Sequence, residues 1–155
     1  FVSVHANAAR RRSVHGIETY YLNENHERHS LNLAERENGI PRHQVNVLQH
    51  TLARLQMEEI MPHSQRLARI VQERMVNGLP RGRRPEDLGV KKGPFYVLFL
   101  SNMPAILIEA GFLTNRDEAS RLRDPDYLGL LSEQIAEGLD RYREAGATYA
   151  ERTGR

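Results

Sequence analysis

Ala105-Ile106-Leu107-Ile108-Glu109-Ala110-Gly111 is the stretch on which the fold turns. Its apolar run has no polar alternation and is too short for a helix, so it predicts a buried strand over 105–109. A second dense run, Phe95 to Leu100, predicts another. Two further β-prone stretches lie near the beginning, Phe1-Val-Ser-Val-His5 and Ile17 to Leu22. Between and after them the apolar spacing is helical. Asn23 to Asn25 can cap a helix over 26–38 that Asn38-Gly39 ends. Val45, Leu48, Leu52, Leu55 and Met61 predict a helix over 43–61, and Leu67, Ile70, Val71 and Met75 predict a second over 63–76, with Pro62 between them. Residues 78–94 hold four of the 11 glycines and read as a loop. Asn115 with Glu118 forms a capping-box pattern that opens a helix to about Leu122. Asp124-Pro125 opens the last helix, to about Arg143, ahead of a frayed tail over 145–155. Strands mixed with helices in this way predict an α/β fold, a sheet flanked by helices.

The bulk properties fit one domain. The chain has 155 residues, 39% of them hydrophobic and 27% charged. A chain of that size buries roughly 70% of its unfolded surface. No apolar run reaches the ~20 residues that span a bilayer. The absence of cysteine excludes a disulfide scaffold, a cysteine zinc site and a catalytic thiol. The formal charge is only +2, although 20 of the 22 basic residues are Arg, all but Lys91 and Lys92. Arg10-Arg11-Arg12 and Arg81-Gly82-Arg83-Arg84 sit in turn-like segments without interleaved aromatics, which reads as solvated loop charge. An arginine-rich nucleic-acid-binding module is the weaker alternative.

In α/β folds function collects outside the carboxyl ends of the strands, where this reading places His5 and Glu109. A glutamate closing Ala-Ile-Leu-Ile is expensive to bury unpaired. It is either an ionised carboxylate held by backbone N–H groups or an arginine, or a neutral acid with a raised pKa suited to acid/base work. The residues alone leave both readings open.

Several segments resemble the zinc-dependent N-acetylmuramoyl-L-alanine amidases of the type 3 cell-wall family. They are Phe1-Val-Ser-Val-His-Ala-Asn7, Gly16-Ile-Glu-Thr-Tyr-Tyr-Leu22, Ala34-Glu-Arg-Glu-Asn38, Ser64-Gln-Arg-Leu-Ala68 with Val71-Gln72, Gly89-Val-Lys91 and Phe95-Tyr-Val-Leu98. The densest is Met103-Pro-Ala-Ile-Leu-Ile-Glu-Ala-Gly-Phe-Leu-Thr-Asn115. The resemblance covers about residues 1–142. It implies a phosphorylase/hydrolase-like fold with a mixed, mostly parallel sheet, and residues 1–144 as the C-terminal part of a catalytic domain whose N-terminal strands are expected upstream of Phe1. It implies a peptidoglycan hydrolase cleaving the amide between N-acetylmuramic acid and L-alanine by zinc-activated water, in the periplasm or outside the cell and associated with cell division. His5 matches a zinc ligand and Glu109 the catalytic glutamate. The other two family ligands, a histidine in a Gly-His-Gly-Gly-type turn and a glutamate, are expected upstream of Phe1.

His15, His26, His29, His43, His50 and His63 match no ligand motif and read as surface histidines, and Glu18 reads as structural or at the substrate edge. Residues 40–63 correspond to a segment that in periplasmic relatives carries a regulatory helix displaced by a protein activator. Glu58 and Glu59 are then candidate metal-masking carboxylates, and an ordinary packing helix is the other reading. A truncated, metal-deficient remnant that binds cell wall is the alternative to the enzyme.

Overall fold

The computed structural model describes residues 1–23, 33, 34, 36, 37, 47–99 and 101–153, with the backbone alone over 47–58 and 147–153. Among the described residues four strands form one sheet: β1 (Val2–Asn7), β2 (Ile17–Leu22), β3 (Asp87–Gly93) and β4 (Ile106–Phe112). Their order is β1-β4-β2-β3. The β1–β4 and β2–β3 pairs are parallel and the β2–β4 pair is antiparallel, so the sheet is mixed and mostly parallel, as expected. The described helices are α1 (Val47–Asn77), α2 (Tyr96–Phe99), α3 (Arg116–Arg121) and α4 (Pro125–Thr153), with a 3₁₀ turn at Arg81–Arg83. Of the helix expected over 26–38, Leu33, Ala34, Arg36 and Glu37 are helical and the rest lies outside the described residues.

β4 is central and buried along its whole length, which is why its sequence carries no alternation. Its side chains nevertheless divide by period two. Ile106, Ile108 and Ala110 join Ile17 and Tyr21 of β2 beneath Leu67, Ala68, Val71 and Met75 of α1 and Tyr127 and Leu131 of α4. Leu107 and Tyr20 face the other way, into a second cluster with Leu33, Ala34, Phe95, Leu98 and Ala105. Each such side chain taken fully out of water contributes about 1.5–3 kcal/mol before entropy is counted. Polar contacts fix how α1 sits. Gln72 Oε1 accepts from Thr19 Oγ1 at 2.7 Å, and its Nε2 donates to the Ile17 carbonyl at 2.9 Å and to Asp87 Oδ1 at 2.6 Å. Where the chain enters β2, Gly16 has φ +117°, and a Cβ there would lie 2.7 Å from the Glu86 carbonyl oxygen.

Five sequence expectations need correction. Residues 87–93, expected in a loop, form β3: an edge strand needs only one paired side and tolerates Lys91, Lys92 and two glycines. Of the strand expected over Phe95–Leu100, the described residues 95–99 form a helical turn instead. Leu98 and Phe99 donate back to the Phe95 carbonyl at 3.1 and 3.2 Å, and the buried pair Phe95 and Leu98 follows helical spacing. Pro62 does not divide two helices, because it lies inside the single 31-residue α1. Its fixed φ suits a helix and its ring forfeits one hydrogen bond, a cost that the packed half of α1 outweighs. α4 continues to Thr153, beyond the expected end at Arg143. Finally, neither His5 nor Glu109 ends its strand, since β1 runs to Asn7 and β4 to Phe112. The helix starts are as read: Asn115 accepts from the N–H groups of Asp117 and Glu118, and Asp124 Oδ1 from that of Asp126. The reciprocal half of the capping box is not made, because the Glu118 carboxylate accepts from the Gly16 and Phe112 N–H groups while the Asn115 N–H bonds the Phe112 carbonyl.

Candidate active site

Three strands bring the site together in one row. His5 of β1 lies opposite Glu109 of β4, and Glu109 lies opposite Glu18 of β2. Directly opposed residues share a face, so the three side chains stand on the Leu107 face, the side covered by Leu33 and Ala34. Glu109 thus occupies the middle of the row as well as the middle of its strand.

Glu109 is fully buried, and among the described residues neither of its carboxyl oxygens has a hydrogen-bond partner. Burial drives its pKa up to about 8, helped by the negative charges of Glu37 and Glu18 and opposed by Arg36. Between the two readings open at the sequence level, the structure takes the neutral acid: the donors an ionised carboxylate requires are absent among the described residues. At neutral pH such a group exists in both forms and can take up and give back a proton.

Glu18, equally buried, has the opposite surroundings. Its Oε1 accepts from Asn7 Nδ2 and from Tyr20 Oη, each at 2.8 Å, and its Oε2 is bonded by Lys91 Nζ. On the other flank, His5 Nδ1 is 2.8 Å from Glu37 Oε2 and its Nε2 is 2.8 Å from Ser3 Oγ. A carboxylate only accepts, so with a neutral ring the proton sits on Nδ1 and Nε2 accepts from the serine hydroxyl. Arg36 closes the arrangement. Its Nη2 donates to Asn7 Oδ1 at 2.9 Å and its Nη1 to the Ala8 carbonyl at 2.8 Å, while Nε lies 3.4 Å from Glu37 Oε1.

The structure therefore unites His5 and Glu109, the two residues singled out from the sequence, and adds Glu37, Arg36, Ser3 and Asn7. Glu37 and Arg36 lay inside a matching segment, but nothing in their spacing pointed at His5. Ser3 was legible from the Ser-x-His alternation of a strand. The remaining histidines are elsewhere or outside the description. His15 pairs with Glu86 at 2.8 Å, its pKa raised first by its bond to the Ser13 carbonyl. His63 is exposed on α1, where His50 also lies, and His26, His29 and His43 lie outside the described residues. Glu58 and Glu59 are on α1, with Glu59 exposed.

Comparison with known proteins gives a consistent answer. Residues 1–141 match the family described as N-acetylmuramoyl-L-alanine amidase. N-acetylmuramoyl-L-alanine amidase LytC of Bacillus subtilis is 30% identical over 142 residues, covering 92% of this chain and 21% of LytC. The crystal structure of an N-acetylmuramoyl-L-alanine amidase from Clostridium difficile 630 superposes with a TM-score of 0.63 at 30% identity, over 92% of this chain and 56% of that one. The CwlD amidase from Clostridioides difficile, solved in complex with the GerS lipoprotein, shares the fold with a TM-score of 0.58 at 22% identity, over 94% of this chain and 54% of that one. The chain thus spans about a fifth of LytC and a little over half of the solved chains.

Proposed function

This chain belongs to the N-acetylmuramoyl-L-alanine amidase family, and from that premise we propose that it contributes the acid/base half of a peptidoglycan hydrolase. The bond cleaved is the amide joining N-acetylmuramic acid to L-alanine. The observation that carries this reading is the placement of Glu109, buried between His5 and Glu18 with both oxygens unpartnered among the described residues. Hydrolysing an amide requires a proton to leave the attacking water and another to reach the departing nitrogen. One carboxyl that changes protonation state can do both in turn. Glu109 is the proposed carrier, and His5 flanks it from the neighbouring strand.

Zinc is the cofactor that the family likeness implies, with His5 as one ligand. The described residues do not by themselves fit a catalytic zinc. Such a site uses three protein ligands, and among the described residues no three His, Cys, Asp or Glu side chains come together to hold a metal ion. Both ring nitrogens of His5 are also engaged, by Glu37 and Ser3. Further donors outside the described residues are therefore part of the proposal, and the proton steps assigned above belong to side chains alone.

The proposed substrate places the protein in the cell envelope. Among the described residues no helix is long and apolar enough to cross a membrane. A protein activator is proposed on the expected regulatory role of residues 40–63, of which 40–46 lie outside the described residues. CwlD, a relative in fold, was solved in complex with the GerS lipoprotein. Since Glu58 and Glu59 belong to the same helix whose later half packs in the core, shortening must stop before Met61. Raised basal hydrolysis in the shortened protein supports the regulatory reading, and no gain supports the packing helix.

The decisive experiment incubates the full-length protein with purified muropeptides and measures newly exposed L-alanine amino termini. Glu109→Gln is expected to lose about 10²–10⁴-fold in rate while remaining folded. A folded Glu109→Gln protein within about twofold of the wild type would overturn the assignment. A wild-type protein that binds sacculi without hydrolysing them would favour the wall-binding alternative.

A further inference from the structure

Glu18 is buried at the centre of the sheet, beside a second carboxyl group, where an apolar side chain of the same size would cost far less. Its contacts with Asn7, Tyr20 and Lys91 account for how it is tolerated, and the first of them leads back to His5. Asn7 donates its amide nitrogen to Glu18 and accepts at Oδ1 from Arg36 Nη2 and from the Ala8 N–H, the latter at 2.7 Å. Reversing that amide would set its oxygen against the Glu18 carboxylate and its NH₂ against the guanidinium. The carboxylate on one side and the guanidinium on the other therefore admit one orientation of Asn7. Oriented in this way, Asn7 Oδ1 and the Ala8 carbonyl hold two corners of Arg36, whose third corner faces Glu37. Glu37 in turn holds His5 Nδ1.

We propose that Glu18 is a positioning residue for His5, acting through Asn7, Arg36 and Glu37 to set which ring nitrogen of the histidine carries the proton. The path runs from β2 through β1 to the helical residues above the sheet and back to β1, around Glu109, whose carboxyl has no hydrogen-bond partner among the described residues. Formal charges alternate along it, Lys91 with Glu18 and Arg36 with Glu37, so that the four groups sum to zero. Carboxylates that orient a functional imidazole from one shell further out are a recurrent device. Here that carboxylate is Glu37, and Glu18 is what holds Glu37 in register. The proposal adds a residue to the site and rests on the amidase reading only for its effect on turnover.

The test reads the imidazole directly. The chain is labelled with ¹⁵N-histidine and kept in chelator, about two pH units above the ordinary imidazole value of ~6.5. The two ring-nitrogen shifts of His5 are then recorded for wild type, E18L, E18Q and N7S, with E37L, which removes the acceptor, as the direct control. Wild type is expected to show the Nδ1–H tautomer. E18L and N7S should move towards the tautomer mixture of E37L, whereas E18Q, which keeps an acceptor oxygen for Asn7, should stay near wild type. In the full-length enzyme E18L should lose about 10- to 100-fold in kcat with KM within about twofold. A folded E18L with the wild-type His5 pattern overturns the proposal. If E18L does not fold, N7S decides in its place, because it cuts the same path and keeps the buried carboxylate. Full-length wild type without hydrolysis would defeat the amidase reading and leave the imidazole measurement to decide this one.

Discussion

Replacing Glu109 by Gln should change how stability depends on pH, and this needs no substrate or metal. Glu109 is faced by His5 and Glu18 across the strands and by Glu37 and Arg36 from the helical residues above, with Lys91 bound to the far side of Glu18. Its carboxyl rises from an ordinary 4.5 to about 8 on folding. A raised folded-state pKa means that the native protein binds this proton more tightly than the unfolded chain does. The stabilisation is therefore complete below about 4.5 and is lost progressively as pH rises through about 8. At 1.36 kcal/mol for each pH unit of separation, the ceiling is about 5 kcal/mol. Water entry and local relaxation lower it, and a loss of at least ~2 kcal/mol is expected. Gln is uncharged throughout. Urea unfolding of wild type and Glu109→Gln in chelator, at intervals from about pH 5 to about pH 9, should show the wild type losing ground steadily against the variant and levelling off above about 8. A stability difference that stays constant across that range would refute the argument that Glu109 is buried in its neutral form.

Further outcomes follow from other parts of the fold. Glu118 is a buried carboxylate whose two oxygens accept from the Gly16 N–H at 2.8 Å and the Phe112 N–H at 2.7 Å. Glu118→Ala leaves both donors without a partner and should cost about 2–5 kcal/mol in urea unfolding, and a cost below about 0.5 would show that water replaces it. Gly138 lets α4 approach α1 closely, since a Cβ there would lie 3.0 Å from Val71 Cα. Gly138→Ala should therefore lower the melting temperature despite the ~1 kcal/mol that helix propensity alone would add, and a rise would mean the helices part easily. Pro62 is exposed inside α1. Restoring a backbone donor with Pro62→Ala should stabilise the protein by about 1–3 kcal/mol, and thermal unfolding that shows a loss would give the proline a structural role of its own.

What could be read along the chain was whatever depends on near neighbours. The limits of β2 follow from Gly16 and from Asn23, which bracket a β-branched and aromatic run. The starts of α3 and α4 follow from Asn115 and from Asp124-Pro125, whose side chains and ring act within one turn. β3 was hidden because its residues resemble a loop until β2 supplies the hydrogen-bonding partner. Phe95–Leu100 misled because short apolar runs suit a strand or a helical turn equally, and the choice fell to Phe95 packing on Tyr20 with ring centroids 4.9 Å apart.

The functional residues divide in the same way. A glutamate after Ala-Ile-Leu-Ile announces itself, because burying a carboxyl is costly wherever the chain places it, and His5 stands out within a short strand. The sequence by itself thus determined that the protein mixes strands and helices, and that His5 and Glu109 are the residues to watch. Only the tertiary structure decided that they sit side by side, that Glu18 is the neighbour paired with Lys91, that Glu109 has no hydrogen-bond partner among the described residues, and that Glu37 holds the imidazole. The physical reason is range. Propensity, capping and hydrophobic period act over a few residues, whereas charge and desolvation act between side chains that may lie a hundred positions apart. The partners each carboxyl meets, and with them its proton, are set only when the strands are laid in order.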